Sequence, residues 1–167
     1  MIFDKSQYDF VDVLESNWKG ICEEYYQSTL EHVQWFEADL NEDKKWQVLP
    51  IYDWPMGLAV KGYAENLPFT KGIIDKHIPY HRAASFSRLQ AGAVVPEHNG
   101  IRGDWYRLHL GIDIPEGDCG ITVGDETYKW KNGECVVFAD YERHSAWNKS
   151  DQDRIVLIID FIPICYD

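Results

Sequence analysis

No stretch of this chain approaches the roughly 20 consecutive apolar residues that a membrane span needs. The first ten residues, MIFDKSQYDF, lack the charged-then-apolar order of a secretion signal. Basic residues are scarce. Sixteen Lys and Arg stand against 28 Asp and Glu, for a formal charge of −12. That balance argues against nucleic acid and anionic membrane surfaces as partners, while leaving room for one locally basic pocket. Cysteine is sparse as well. Cys22, Cys119, Cys135 and Cys165 form no C-x-x-C pair, so neither a zinc site nor a redox motif is indicated. Free thiols in a reducing cytoplasm are the expectation. No repeat, low-complexity run or linker divides the chain.

The 167 residues, 45% hydrophobic and 14% aromatic, suit one globular domain able to bury a core without staples. Between about residues 7 and 36, Phe10, Val11, Val13, Leu14, Trp18, Ile21, Cys22 and Tyr25 recur at helical spacing and predict one or two helices. WQVLPIYDWPMGLAVKGY, from Trp46, reads as two short strands around a Pro-containing turn. NLPFTKGIIDKH reads as a short helix with Pro68 near its start. From Ala84 onward, short β-rich runs are separated by Gly, Asp, Asn and Pro, with KNGE the strongest tight-turn signal. The expected class is mainly β with N-terminal helices, an antiparallel sandwich or jelly roll. A helical layer of about 1–45 would pack on a core of about 46–167.

The polar residues of the β-rich part form the candidate site. His98 follows VVPE and His144 follows VVFAD. Histidines at the ends of neighbouring strands can converge on one ion, and neutral imidazole suits Fe, Zn, Ni and Cu. Ordinary hydrogen bonding is the competing reading, and it suffices for His32, His77 and His81. Arg107 and His109 alternate with Leu108 and Leu110, so they share one face of a strand. Arg154 opens the apolar run RIVLIIDFI. If buried it needs an anion, and its planar fork matches a carboxylate; a strand-end arginine in water is the alternative. Ser87, on FSRL, offers a hydroxyl. Arg102 is a possible clamp for a substrate carboxylate, and Arg82 and Arg88 read as surface charges.

SFSRLQAGAVVPEHNGIRGDWYRLHLGI, followed by YKWKNGECVVFADYERHSAWNKSDQDRIVLIIDF, resembles the aspartyl/asparaginyl β-hydroxylases over about Trp46 to Pro163. The order and spacing of Ser87, His98, Arg107-x-His109, His144 and Arg154 match, as do the W-x-x-G-E and H-x-x-W-N contexts. The resemblance implies a double-stranded β-helix (cupin-like jelly roll) and an oxygenase using Fe(II), 2-oxoglutarate and O2. It makes His98 and His144 the metal ligands and assigns the distal carboxylate of 2-oxoglutarate to Arg154 and Ser87. His109, with Arg107, would hold the cosubstrate near the metal, and Trp46 is a looser candidate for the same pocket. Trp147 and Asn148 would be structural. Gly100 stands where many related oxygenases carry an acid, leaving a coordination position for water or halide; the β-hydroxylases lack that acid too. Ala139 and Tyr141 depart from the family's usual Asp-Asp-Ser, which bears on support of the site.

The resulting expectation is a hydroxylase acting on an unactivated C–H bond of a small molecule, such as an amino acid or a pathway intermediate. The alternatives are a halogenase using the position beside Gly100, a non-catalytic jelly-roll binding protein, and a cupin-like metalloenzyme without 2-oxoglutarate.

Overall fold

The computed structural model describes residues 1–164, so Cys165 lies outside the described residues. In chain order the elements are β1 (Ile2–Phe3), α1 (Phe10–Ser16), α2 (Trp18–Gln27), β2 (Val33–Gln34), β3 (Trp46–Tyr52), α3 (Pro68–His77), β4 (His81–Leu89), β5 (Val94–Asn99), β6 (Tyr106–Asp113), β7 (Cys119–Val123), β8 (Glu126–Tyr128), β9 (Cys135–Phe138), β10 (Arg143–Asn148) and β11 (Arg154–Phe161). The strands form two sheets, ordered β1-β9-β6-β11-β4-β3-β2 and β5-β10-β7-β8. Every pairing is antiparallel. This is the mainly β jelly roll expected from the sequence.

The seven-stranded sheet is buried on both faces, which is why its central strand β11 reads as an almost unbroken apolar run. One face packs on the helices: Leu108, Leu110, Leu157 and Ile159 join Leu14, Ile21 and Ile74 in one core. The other face meets the smaller sheet, where Leu89, Val156 and Ile158 join Val95, Ile121 and Ala146 in a second core. Each fully buried aliphatic side chain contributes about 1.5–3 kcal/mol. The two-residue strand period sets which residues turn toward that inter-sheet space. They are Trp46 on β3, Ser87 and Leu89 on β4, Arg107 and His109 on β6, and Arg154 and Ile158 on β11.

Three local expectations change. The helical region ends at Gln27, and Val33–Gln34 instead pairs with β3 at the sheet edge. Ile2–Phe3 adds a strand beside β9, too short for any periodicity to announce. The polar segment RHSAWN is a strand, β10, so His98 and His144 lie within strands rather than beyond their ends. The helix beginning at Pro68 forms as read, with Pro at its first turn, where its missing N–H costs nothing.

Candidate active site

His98 on β5 and His144 on β10 are direct cross-strand partners, with ring centroids 4.2 Å apart. Both rings are anchored in the same way. Nδ1 of His98 lies 2.8 Å from the Pro96 carbonyl, and Nδ1 of His144 lies 2.6 Å from that of Glu142. A carbonyl accepts only, so Nδ1 carries the proton in each ring and the Nε2 lone pairs are left free, as a metal ligand requires. Burial holds the His144 imidazole below its ordinary range, opposed by the Asp140 carboxylate beside it. Among the described residues no group of three or more His, Cys, Asp or Glu side chains is arranged for a metal. The donor set is the imidazole pair.

Gly100 lies tightly against Asp140. A Cβ there would stand 2.2 Å from Oδ2 of Asp140 and 2.5 Å from its carbonyl oxygen. The Asp140 carboxylate therefore packs directly against Gly100. Its Oδ1 lies 3.4 Å from Nε2 of His144. Asp140 is held by Arg107, whose Nη1 donates to Oδ1 at 2.5 Å. The rest of the Arg107 fork is bidentate on Asp160, with Nε donating at 2.7 Å and Nη2 at 2.9 Å. Arg107 and Asp160 are register partners on β6 and β11, the arrangement in which opposite charges meet. The two carboxylates push the Arg107 guanidinium above its ordinary range. Burial pushes the Asp160 carboxyl up, and Arg107 opposes that. Arg107 therefore faces the cavity as expected, with three of its five N–H donors engaged by Asp140 and Asp160.

Arg154 is in the opposite situation. It is 2% exposed and has no carboxylate partner among the described residues. Its Nη2 donates to the Ser87 carbonyl (3.1 Å) and Oγ (2.9 Å), the guanidinium lies 4.5 Å from the Trp130 ring centroid, and its buried Nε has no hydrogen-bond partner. Burial pulls its pKa down to about 10. Ser87 Oγ also accepts from Nε1 of Trp46 at 2.9 Å. With both lone pairs occupied, its hydroxyl proton is left to donate. His109 adds a third donor. The indole N–H of Trp130 points at its Nδ1 from 3.3 Å, so Nε2 carries the proton, and that buried Nε2 has no hydrogen-bond partner among the described residues. Burial, reinforced by Arg154, keeps this ring neutral, well below the ordinary range. Three donors from three strands thus bound a cavity that the imidazole pair also lines. Unsatisfied buried donors are costly, and an oxygen-rich anion would satisfy these.

Asn148 supports the approach to Arg154. It is fully buried, and its amide donates to the carbonyls of Leu89 (3.0 Å) and Gln152 (2.8 Å), tying the 149–153 turn to the end of β4. Trp147 donates to Asp118 on the surface. Ala139 is buried and its backbone N–H donates to the Met1 carbonyl. Arg102 is exposed, its guanidinium 5.8 Å from the Tyr141 ring, and is not among the lining residues. Sequence reasoning missed Asp140, Asp160 and Trp130. Asp160 had a visible signal: it is the acid in RIVLIIDFI and shares the even-numbered alternation of Arg154.

Comparison with known proteins places the chain within a family. A family model described as aspartyl/asparaginyl beta-hydroxylase matches residues 15–163. The ornithine lipid ester-linked acyl 2-hydroxylase of Rhizobium tropici is 29% identical over 96% of this chain and 60% of its own length. The aspartyl/asparaginyl beta-hydroxylase of Mus musculus is 26% identical over 91% of this chain and 21% of its own. The chain therefore spans about three fifths of the first relative's length and about a fifth of the second's. Among solved structures, an oxidoreductase of the 2OG-Fe(II) oxygenase family from Burkholderia pseudomallei superposes with a TM-score of 0.60. It covers 84% of this chain and 76% of that one at 12% identity, a likeness of fold.

Proposed function

The chain belongs to the aspartyl/asparaginyl β-hydroxylase family, and from that premise we propose that it is an Fe(II)- and 2-oxoglutarate-dependent hydroxylase acting on an unactivated C–H bond of a small molecule. The observation that carries this reading is the Arg154 guanidinium, buried without a carboxylate in a cavity whose wall includes two metal-competent imidazoles. His98 and His144 would hold the metal through Nε2. Arg154 and Ser87 would take the distal carboxylate of 2-oxoglutarate, and His109 Nε2–H would donate to the same cosubstrate. Iron with 2-oxoglutarate and O2 supplies the oxidising chemistry, and the protein supplies orientation and charge.

Each residue then has a physical task. Trp46 fixes the Ser87 hydroxyl so that its proton faces the cavity. Trp130 fixes the His109 tautomer. Arg107 holds Asp140 beside His144. Leu89, Ile121 and Phe138 exclude water between the donors. The unpartnered donors count against a simple metal-binding jelly roll.

The test is succinate formation by protein purified without O2 and then given Fe(II), 2-oxoglutarate and O2. Turnover above a His98→Ala control supports the reading. Absence of both iron and 2-oxoglutarate binding overturns it.

A further inference from the structure

Beside this cavity lies a second, outer pocket that shares Trp46, His98 and Arg107 with it. Two features of its walls bear on what it would hold. The first is aromatic surface. Four of the chain's seven tryptophans line it. Trp35 and Trp46 stack face to face at 4.0 Å, and Trp54 meets Trp105 edge-on at 4.5 Å. Phe36 (71% exposed) and Ile101 (63%) extend the apolar surface to the rim. Clustered exposed apolar surface of this kind marks a binding site.

The second feature is charge of one sign. Three carboxylates, Glu37, Asp140 and Asp160, face this pocket beside one guanidinium, Arg107. Arg107 is paired with both aspartates, so its single charge is already matched by them. The carboxylate of Glu37 accepts the indole N–H of Trp35 at 3.0 Å and makes no ion pair among the described residues. Occupation of the inner cavity by a divalent metal and a dicarboxylate adds no net charge, so the outer pocket stays negative.

From this pairing we propose that the outer pocket takes a cationic alkylammonium group of the substrate, held between the Glu37 carboxylate and the faces of the surrounding tryptophans. The assignment rests on the hydroxylase reading, because it names the substrate class of the same site. A diffuse cation is attracted to an indole face and gains most where it is partly desolvated. A carboxylate-bearing group would meet like charge and find no free cation on the wall, since Arg102 lies outside it. A neutral chain would satisfy the rings but strip water from Glu37 without replacing it, which is costly.

Choline and its uncharged carbon isostere, 3,3-dimethyl-1-butanol, separate these cases. Each is titrated into metal-free protein while the indole N–H resonances are followed by NMR. Choline should shift the signals of Trp35, Trp54 and Trp105 saturably, with the isostere about ten-fold weaker. Glu37→Gln should weaken choline several-fold, and Trp54→Leu should do the same if the ring face matters. Equal binding of the two probes, or no shift of any lining indole by choline, overturns the proposal. Titration of the same samples with Mn(II) and 2-oxoglutarate keeps its failure distinct from that of the hydroxylase reading: loss of one response leaves the other measurable.

Discussion

At the inner end of the cavity Arg154 is buried and meets no carboxylate; at the outer end Arg107, also part of the inter-sheet wall, is gripped by two. Both side chains come from strands of the same sheet and face the same space. What separates them is the cross-strand neighbour. Arg107 is registered opposite Asp160, whereas Arg154 is registered opposite Leu89, next to Ser87. A satisfied buried ion pair is a structural element that holds its neighbours in place. An unsatisfied buried guanidinium is a binding site, because its desolvation is compensated only when an anion arrives. The contrast teaches that the charge of a buried residue says little until its partner is known.

The contrast can be broken first at Arg154. Arg154→Met should weaken 2-oxoglutarate binding by about 100-fold or more, since it removes a buried charge-assisted contact. The same change should leave the ligand-free protein as stable as the parent or slightly more so, because an uncompensated charge is replaced by an apolar side chain. Titration calorimetry and thermal unfolding read the two effects. The outer arginine should behave in the reverse way. Asp160→Asn breaks a buried pair and should cost about 3 kcal/mol of unfolding free energy in urea, with a smaller effect on 2-oxoglutarate affinity. If Arg154→Met were the more destabilising of the two, the comparison would fail.

Gly100→Ala sharpens the outer half further. The new methyl group would collide with the Asp140 carboxylate and backbone, so a loss of about 1–3 kcal/mol is expected, together with weaker metal binding as Asp140 is displaced. Acidification gives the smallest effect. His109 and His144 are held below their ordinary value of 6.5. Below that pH the unfolded chain binds protons that the folded chain refuses. Stability is therefore fully present above about 6.5 and is lost as the pH falls through that region, by up to about 1.4 kcal/mol per pH unit for each such group. The urea midpoint of metal-free protein should drop between pH 7.5 and 5.5, and His109→Asn should shrink that drop.

Much of this site could be read before any coordinates. Ser87, His98, His109, His144 and Arg154 do line one cavity, and the alternation of Arg107 and His109 with two leucines predicted the correct faces of β6. The alternation was informative because the sheet is buried on both sides, so the polar face stands out against apolar neighbours. That His98 and His144 come together from neighbouring strands was expected, but their direct register within those strands was not legible, because RHSAWN is too polar to announce a strand and cross-strand register is a tertiary property. Asp140 and Glu37 were missed for a related reason. Each approaches the cavity from a segment between regular elements, where no periodicity assigns a direction. The carboxylate clamp suggested at Arg102 fell on a loop, and there the sequence carried no information about which way the side chain turns.

The most direct test of the account is the visible charge-transfer absorption that develops when a 2-oxo acid chelates Fe(II), recorded without O2 on the parent protein and on Arg154→Met. The band should appear on adding 2-oxoglutarate to the Fe(II)-loaded parent and should require far higher 2-oxoglutarate in the variant. A parent that binds Fe(II) but develops no band, or a variant that develops it at the same concentration, would contradict the assignment of the buried guanidinium to the cosubstrate.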